Sequence, residues 1–282
     1  MTPSEVAAYR NGDKDGPGWW VRVVPNQFPA LSPEAHNGRN EDPFSRLIPG
    51  VGRHEVIIET PEHASPFALM SDRQAEEVVL MYHDRHLALR KDPAVKAMIL
   101  FKNKGQAAGT SLEHPHAQII GTPVVPGHIR NKCAEATRYY DETGRCIYSD
   151  LVERERKAQQ RIVFDSEEFV AFHPFASRSP FETWIAPKRH APSFGQISIE
   201  SAKRFAHALK AILLKIYRHL DDPDYNIVFY SAPIEDENKP YFLWHVWIIP
   251  RLTTVAGFEM GSGIYINTAL PEETAAYMND QP

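Results

Sequence analysis

The chain has 282 residues, 43% of them hydrophobic, enough to bury one large core or two smaller ones. Thirty-one basic against thirty-six acidic residues leave a net charge of -5, which gives no electrostatic footprint for a nucleic acid partner. No stretch approaches the roughly 20 apolar residues that span a bilayer, no basic and apolar leader opens the sequence, and two cysteines are too few for a disulfide framework, so a cytoplasmic protein with no membrane partner is expected.

In chain order, residues 20–24 and 56–58 read as strands, and His63 follows them. Ser71 and Gln74 are placed as a capping box ahead of a helix whose apolar stripe is Ala75, Val78, Val79, Tyr82, His86 and Leu89. Residues 98–101 read as a strand, and residues 114–120 as another, on which alternation puts His114 and His116 on one face. Residues 126–159 carry few large apolar side chains before Leu151 and read as a polar connector. The pattern then returns. Residues 162–164, 169–172 and 183–186 read as strands closing on His190. A helix from near Ser198 follows, with Phe205, Leu209, Ile212, Leu213, Ile216 and Leu220 on one face. Residues 227–230 and 245–249 are the last two strands, the second opening on His245. The order strand, strand, His, helix, strand, His-bearing strand occurs twice. It predicts an α+β fold of two duplicated halves with antiparallel sheets and flanking helices, an intramolecular pseudo-dimer joined edge to edge: residues 1–125, the connector 126–159 and residues 160–282.

The segment 103–118 carries most of the chemistry. Asn103 and Lys104 lead into Gly105, Ala107, Ala108 and Gly109, small residues that let backbone N–H groups approach a phosphate. Ser111 adds a hydroxyl donor, and His114, Pro115, His116 and Gln118 follow directly. A glycine-rich turn before an ordinary strand is the plain alternative. The joint occurrence of Asn-Lys-Gly, Gly-x-Ser and His-Pro-His-x-Gln favours the chemical reading.

On these motifs, and over nearly its whole length, the sequence resembles the galactose-1-phosphate uridylyltransferase family of the histidine-triad superfamily. Residues 21–31, with Asn26 and Phe28, look like the family's nucleoside-binding segment. Residues 257–260, with Phe258 and Glu259, look like its sugar-binding loop, and residues 261–267, ending on Asn267, are closer to the plant-type ADP-glucose phosphorylase branch. The resemblance implies two histidine-triad-like halves. It also implies that His116 is the nucleophile, that Gln118 hydrogen-bonds the transferred phosphoryl group, that Asn26 and Phe28 meet the nucleoside, and that Phe258, Glu259 and Asn267 meet the hexose. A neutral imidazole suits the nucleophile's role, since near its ordinary pKa of about 6.5 it attacks phosphorus without prior deprotonation.

The family also implies zinc. It pairs an N-terminal Cys-x-x-Cys with the histidines that correspond to His63 and His114, but this sequence has no such motif. The second zinc set corresponds to Cys146, His190 and His245, with Ser149 in place of the second thiolate. Three ligands and a water could hold the metal, and a hydrogen-bonded Cys/His cluster without metal is the alternative. Trp247 stands where the first half has His116, so one half alone is expected to be catalytic. His54, His83, His86, His128, His173, His207 and His219 read as surface or core residues, and Arg22, Lys104 and Arg251 have no assigned role.

The expected reaction is a double displacement: UDP-glucose gives its nucleotidyl group to His116, and a hexose 1-phosphate, galactose 1-phosphate first, takes it away. The alternatives are a phosphorylase acting on ADP-glucose or a dinucleoside polyphosphate, and a nucleotide-binding protein that has lost catalysis. A homodimer is implied by the family.

Overall fold

The computed structural model describes residues 4–34, 42, 44–45, 47–63, 65–110 and 112–280. In the first half the strands are β1 (Ala7–Arg10), β2 (Trp19–Pro25), β3 (Arg53–Ile58), β4 (Ala97–Lys104) and β5 (His116–Thr122). In the second they are β6 (Ile162–Asp165), β7 (Phe169–Phe172), β8 (Thr183–Pro187), β9 (Tyr225–Tyr230) and β10 (His245–Pro250). All ten join one sheet in the order β1-β2-β3-β5-β4-β9-β10-β8-β7-β6. From either edge inward, each half lays down its strands in the same sequence: first, second, third, fifth, fourth. The expected duplication is therefore present at the level of topology, and the halves meet edge to edge where β4 pairs antiparallel with β9, Leu100 opposite Phe229 and Lys104 opposite Tyr225.

Two long helices, α1 (Asp72–Leu89) and α4 (Ile199–His219), lie side by side on one face of this sheet. Val78, Val79 and Tyr82 of α1 and Phe205, Leu209, Ile212 and Ile216 of α4 pack with Ile57, Leu100, Ala117, Ile119, Phe229, Val246 and Ile248 in one continuous core. Apolar residues every three or four positions put these side chains on one helical face, and burial of that face is the main stabilising term. Both helices start where the sequence places them. Ser71 Oγ accepts from the Gln74 amide at 3.2 Å, and Ser198 Oγ accepts from the Ser201 amide at 3.1 Å. The capping box is only half formed, because the Gln74 side chain donates instead to the carbonyls of Trp20 and Glu59, at 2.9 and 2.5 Å. It ties α1 to the first sheet rather than to its own cap.

The segment read as a polar connector is structured. It forms α2 (Gly127–Thr143) and α3 (Ile147–Ala158), and Ile129, Cys133, Ala136, Tyr148 and Val152 are buried against Val170, Phe172, Ala186 and Tyr230. Small and medium side chains at a spacing of three to four suffice to bury a narrow stripe, which a search for large apolar residues passes over. This helical pair covers the second half on the face opposite α1 and α4. Strand alternation puts Val56, Ile58, His116 and Gln118 on that same face in the first half, where they line a cavity instead of packing under a helix. Two short helices, α5 (Gly257–Ser262) and α6 (Pro271–Asn279), complete the chain, and no helix among the described residues is long and apolar enough to cross a membrane.

α6 buries His173, whose Nδ1 lies 2.8 Å from Thr274 Oγ1. The imidazole has no exposed surface, and burial pushes its pKa down to about 4. The unfolded chain takes up that proton near the ordinary value of about 6.5, so between pH 6.5 and 4 the unfolded state binds more protons and stability falls as pH falls. Chemical denaturation at pH 5 should show about 2 kcal/mol less stability from this group than at pH 7. In His173→Phe the difference between the two pH values should be smaller, and an unchanged difference would rule out this source.

Candidate active site

His116 opens β5, opposite Ile58, the last residue of β3. The strand was expected to begin at His114; it begins two residues later, and His114 sits in the bend that leads into it. The chain between them is nonetheless pinned. The Glu59 amide donates to the Pro115 carbonyl at 3.1 Å, and His114 Nε2 donates to the Thr60 carbonyl at 2.6 Å. Both histidines face common space.

The tautomer of His116 follows from its partner. Nδ1 lies 2.8 Å from the His114 carbonyl, which can only accept, so Nδ1 carries the hydrogen and Nε2 the lone pair. Burial lowers the pKa of this imidazole below the usual histidine value, outweighing the hydrogen bond to the His114 carbonyl, which raises it, and the nearby Lys102 ammonium adds a smaller push in the direction of burial. The ring is therefore neutral at physiological pH, and its free nitrogen has no hydrogen-bond partner among the described residues.

Gln118 is oriented by a residue that sequence reading left as a bystander. The Ala30 amide donates to His54 Nδ1 at 3.0 Å, so the hydrogen of His54 is on Nε2, and it is given to Gln118 Oε1 at 2.8 Å. Asn26 Nδ2 donates to the same oxygen at 3.2 Å. With its oxygen held by two donors, the amide turns its NH₂ group away from them. Asn26 Oδ1 accepts from the Phe28 amide at 2.9 Å, a local turn that leaves Phe28 84% exposed beside the cavity.

Two cavities flank His116. One of about 410 Å³ is lined by Val24, Asn26, Phe28, Val56, Ile58 and Gln118, and is mostly apolar with a few convergent polar groups. The other, of about 340 Å³, brings His63, Lys102, Asn103, Lys104 and Glu113 together with apolar side chains such as Phe67 and Leu69. Leu112, His114 and His116 belong to both. The imidazole stands on the shared wall.

The glycine-rich turn has a different job from the one expected. Gly105 (φ 87°) and Gly109 (φ 83°) bracket a 3-10 turn over Gln106–Ala108. The Ala107 amide donates to Asp224 Oδ2 at 2.7 Å, and the amides of Ala108, Gly109 and Thr110 donate to carbonyls of the turn itself. Those N–H groups are occupied, so they do not form the anticipated phosphate cradle. Asn103 is likewise engaged, its Oδ1 accepting from Asn226 Nδ2 at 2.8 Å across the β4–β9 seam. Ser111 lies outside the described residues. Lys104 and Arg22 are ion-paired, with Asp222 and with Glu5 and Asp15.

The residues expected to hold zinc do not assemble. His63 Nδ1 and His114 Nδ1 approach to 3.2 Å with their rings nearly perpendicular, a pair with no third donor among the described residues. In the second half, Cys146 Sγ donates to the Tyr241 carbonyl, His190 Nε2 to the Pro240 carbonyl and His245 Nδ1 to the Leu243 carbonyl. Among the described residues no group of three or more His, Cys, Asp or Glu side chains could hold a metal ion. His245 is stacked on Trp184 at 4.5 Å between ring centres and enclosed by Tyr148 and Tyr230, and burial pushes its pKa down to about 3. The donor set does not fit zinc. Phe258, Glu259 and Asn267 are also not brought to His116. Glu259 Oε2 caps its own helix through the Ala256 amide at 3.1 Å, and Asn267 Nδ2 donates to the Ser177 carbonyl at 3.2 Å. Trp247 follows His245 by two residues, as His116 follows His114, and it puts an indole where the first half has its imidazole.

A neutral, cavity-facing imidazole in one half of a duplicated α+β sheet, with a glutamine amide beside it, marks the candidate active site. The chain belongs to the galactose-1-phosphate uridyl transferase family, whose N-terminal domain matches residues 2–126 and whose C-terminal domain matches residues 132–278. It is 34% identical to ADP-glucose phosphorylase of Arabidopsis thaliana over 96% of this chain and 77% of that one. It is 33% identical to galactose-1-phosphate uridylyltransferase of Thermotoga maritima, over 90% of this chain and 82% of the relative. The crystal structure of the Arabidopsis thaliana ADP-glucose phosphorylase with bound ADP-glucose superposes with a TM-score of 0.87 at 32% identity, covering 100% of this chain and 87% of that one.

Gly105 gives the turn a sharp test. A Cβ at this position would stand 1.6 Å from Asp224 Oδ1, at a φ that side-chain-bearing residues rarely adopt. Gly105→Ala should lower stability by at least about 2 kcal/mol through clash and backbone strain together. Gly109→Ala meets no atom within 4 Å and should be the milder change despite a similar φ. Equal denaturation midpoints for the two variants would refute the role of Asp224 as the stop under the turn.

Proposed function

We propose that this protein moves a nucleotidyl group by double displacement through His116, with UDP-glucose as donor and a hexose 1-phosphate, galactose 1-phosphate first, as acceptor. The observation that carries the reading is the Nε2 lone pair, without a hydrogen-bond partner among the described residues, of a buried, neutral imidazole on the wall between two cavities. Nε2 attacks the α-phosphorus, the bond from that phosphorus to the bridging oxygen breaks, and glucose 1-phosphate leaves with the electron pair. The ring becomes cationic as the nitrogen–phosphorus bond forms, and Nδ1–H stays on the His114 carbonyl, where the stronger charge-assisted bond stabilises the intermediate. An acceptor phosphate oxygen then attacks the same phosphorus and restores the neutral imidazole. One site thereby serves both half-reactions. The free NH₂ of Gln118 is oriented to donate to a phosphoryl oxygen, and the apolar cavity with Asn26 and Phe28 suits the nucleoside.

A second reading keeps the first half-reaction and changes base and acceptor: an ADP-glucose phosphorylase, in which inorganic phosphate attacks the adenylyl-histidine. The similarity to the Arabidopsis thaliana enzyme over 96% of the chain favours it. A homodimer belongs to either reading, supported by Phe258, Met260, Ile264 and Ile266, which expose apolar surface within one short stretch.

Intact-mass analysis after separate mixing with UDP-glucose and ADP-glucose reads activity and base together. The wild-type protein should gain a uridylyl mass with the first donor, or an adenylyl mass with the second under the alternative. His116→Asn should gain neither and should lose roughly three or more powers of ten in turnover, because an amide hydrogen-bonds but does not act as the nucleophile. An acid-labile nucleotidyl adduct on His116→Asn would overturn the assignment. His54→Ala should form the adduct on the order of tenfold more slowly, since Gln118 loses the donor that orients it. A wild-type adduct rate in that variant would remove His54 from the site.

A further inference from the structure

Behind His116, on the helix side of the sheet, lies a buried charge cluster that the reaction above does not use. Glu59 has no exposed surface, and Lys102, Tyr82 and Tyr225 are almost as deeply buried. Lys102 Nζ donates to Glu59 Oε2 at 2.7 Å and to the His116 carbonyl at 3.2 Å. The Tyr82 hydroxyl of α1 donates to the other carboxylate oxygen. Taking two charges out of water costs several kcal/mol, and replacing such a pair by apolar residues is often neutral or stabilising. Stability alone gives no account of it.

The sheet supplies one. The register of β4 with β5 ends at Phe101 opposite Gln118, two residues short of His116, while β4 continues with β9 as far as Lys104 opposite Tyr225. The strands separate at this point, and the smaller cavity opens there, with Lys102 and His116 both in its wall. The His116 carbonyl therefore lies beyond the last β4–β5 pair. The Lys102 ammonium reaches it from the side, and an apolar side chain in its place would leave that acceptor without this donor.

Resting on the reading of His116 as nucleophile, we infer that Lys102, held by Glu59 and through it by Tyr82 of α1, is a positioning residue that locks the His116 peptide where the strands part. The chain of contacts is short and rigid: α1 holds Glu59 by the Tyr82 hydroxyl and by Gln74 on its carbonyl, Glu59 holds Pro115 by its amide and Lys102 by its carboxylate, and Lys102 holds His116. Rotation of this peptide would move the imidazole and its free nitrogen relative to the α-phosphorus, and misplacement of a reacting group by about 1 Å can cost a hundredfold in rate.

The test uses Lys102→Met and the paired variant Glu59→Gln/Lys102→Met, which removes both charges and leaves no buried carboxylate unpaired. Single-turnover adduct formation, the KM for the nucleotide sugar and the thermal midpoint are measured on each. Lys102→Met should form the adduct roughly ten- to a hundredfold more slowly with KM nearly unchanged. The paired variant should recover thermal stability without recovering rate, a separation that a merely structural pair does not produce. A paired variant with the wild-type adduct rate, or a rate loss in Lys102→Met that vanishes when stability is restored, would overturn the inference while leaving the His116 assignment intact. No adduct on the wild-type protein with any nucleotide sugar would overturn both.

Discussion

The pairing of β4 with β9 is the constraint from which the rest of the molecule follows. It joins two five-strand halves into one sheet, and in doing so sets α1 and α4 next to each other over a single face. Their exposed edges are stitched by His207 with Glu76 and Lys210 with Asp72, pairs whose small individual worth is secondary to the apolar burial beneath them. Because β4 must follow β9, it leaves β5 early. The site lies at that parting, next to the seam and not at a remote loop.

The two halves then diverge in what covers the other face. In the second half α2 and α3 close over it, and the place where a ligand could sit is filled by His245 in ring contact with Trp184, Tyr230 and Tyr148, with the Lys132 ammonium 4.6 Å from the Tyr230 ring centre. Burial holds the Lys132 pKa down to about 8. In the first half the same face stays open and polar groups collect there. One topology thus yields a packed core in one half and a cavity in the other, and the difference is made by a helical pair and a few aromatic residues.

Around His116, the hydrogen bonds form a hierarchy in which backbone carbonyls do much of the orienting. The His114 carbonyl sets the tautomer of His116, the Thr60 carbonyl sets that of His114, and the Ala30 amide sets that of His54, which in turn fixes Gln118. Carbonyls and amides have a fixed sense as acceptor or donor, so each imidazole is left with one defined free or donating nitrogen.

Periodicity alone located both long helices, the cores of the main strands and the repeat that relates the halves, because those features depend on residues within a few positions of each other. The motif around His116 and Gln118 was legible for the same reason, and so were the caps at Ser71 and Ser198. The contacts that turn those residues into a site were not. His54 meets Gln118 across 64 positions, Lys102 meets Glu59 across 43, and Asp224 meets the Ala107 amide across 117. No local pattern marks such partners, since each is an ordinary polar residue until the sheet brings it to its mate. The same holds for the expected zinc ligands and phosphate-binding amides. Residue types and spacing made them candidates, and only the three-dimensional distribution of hydrogen-bond acceptors decided that Cys146, His190 and His245 each go to a backbone carbonyl and that the turn amides are spent on Asp224 and on the turn itself.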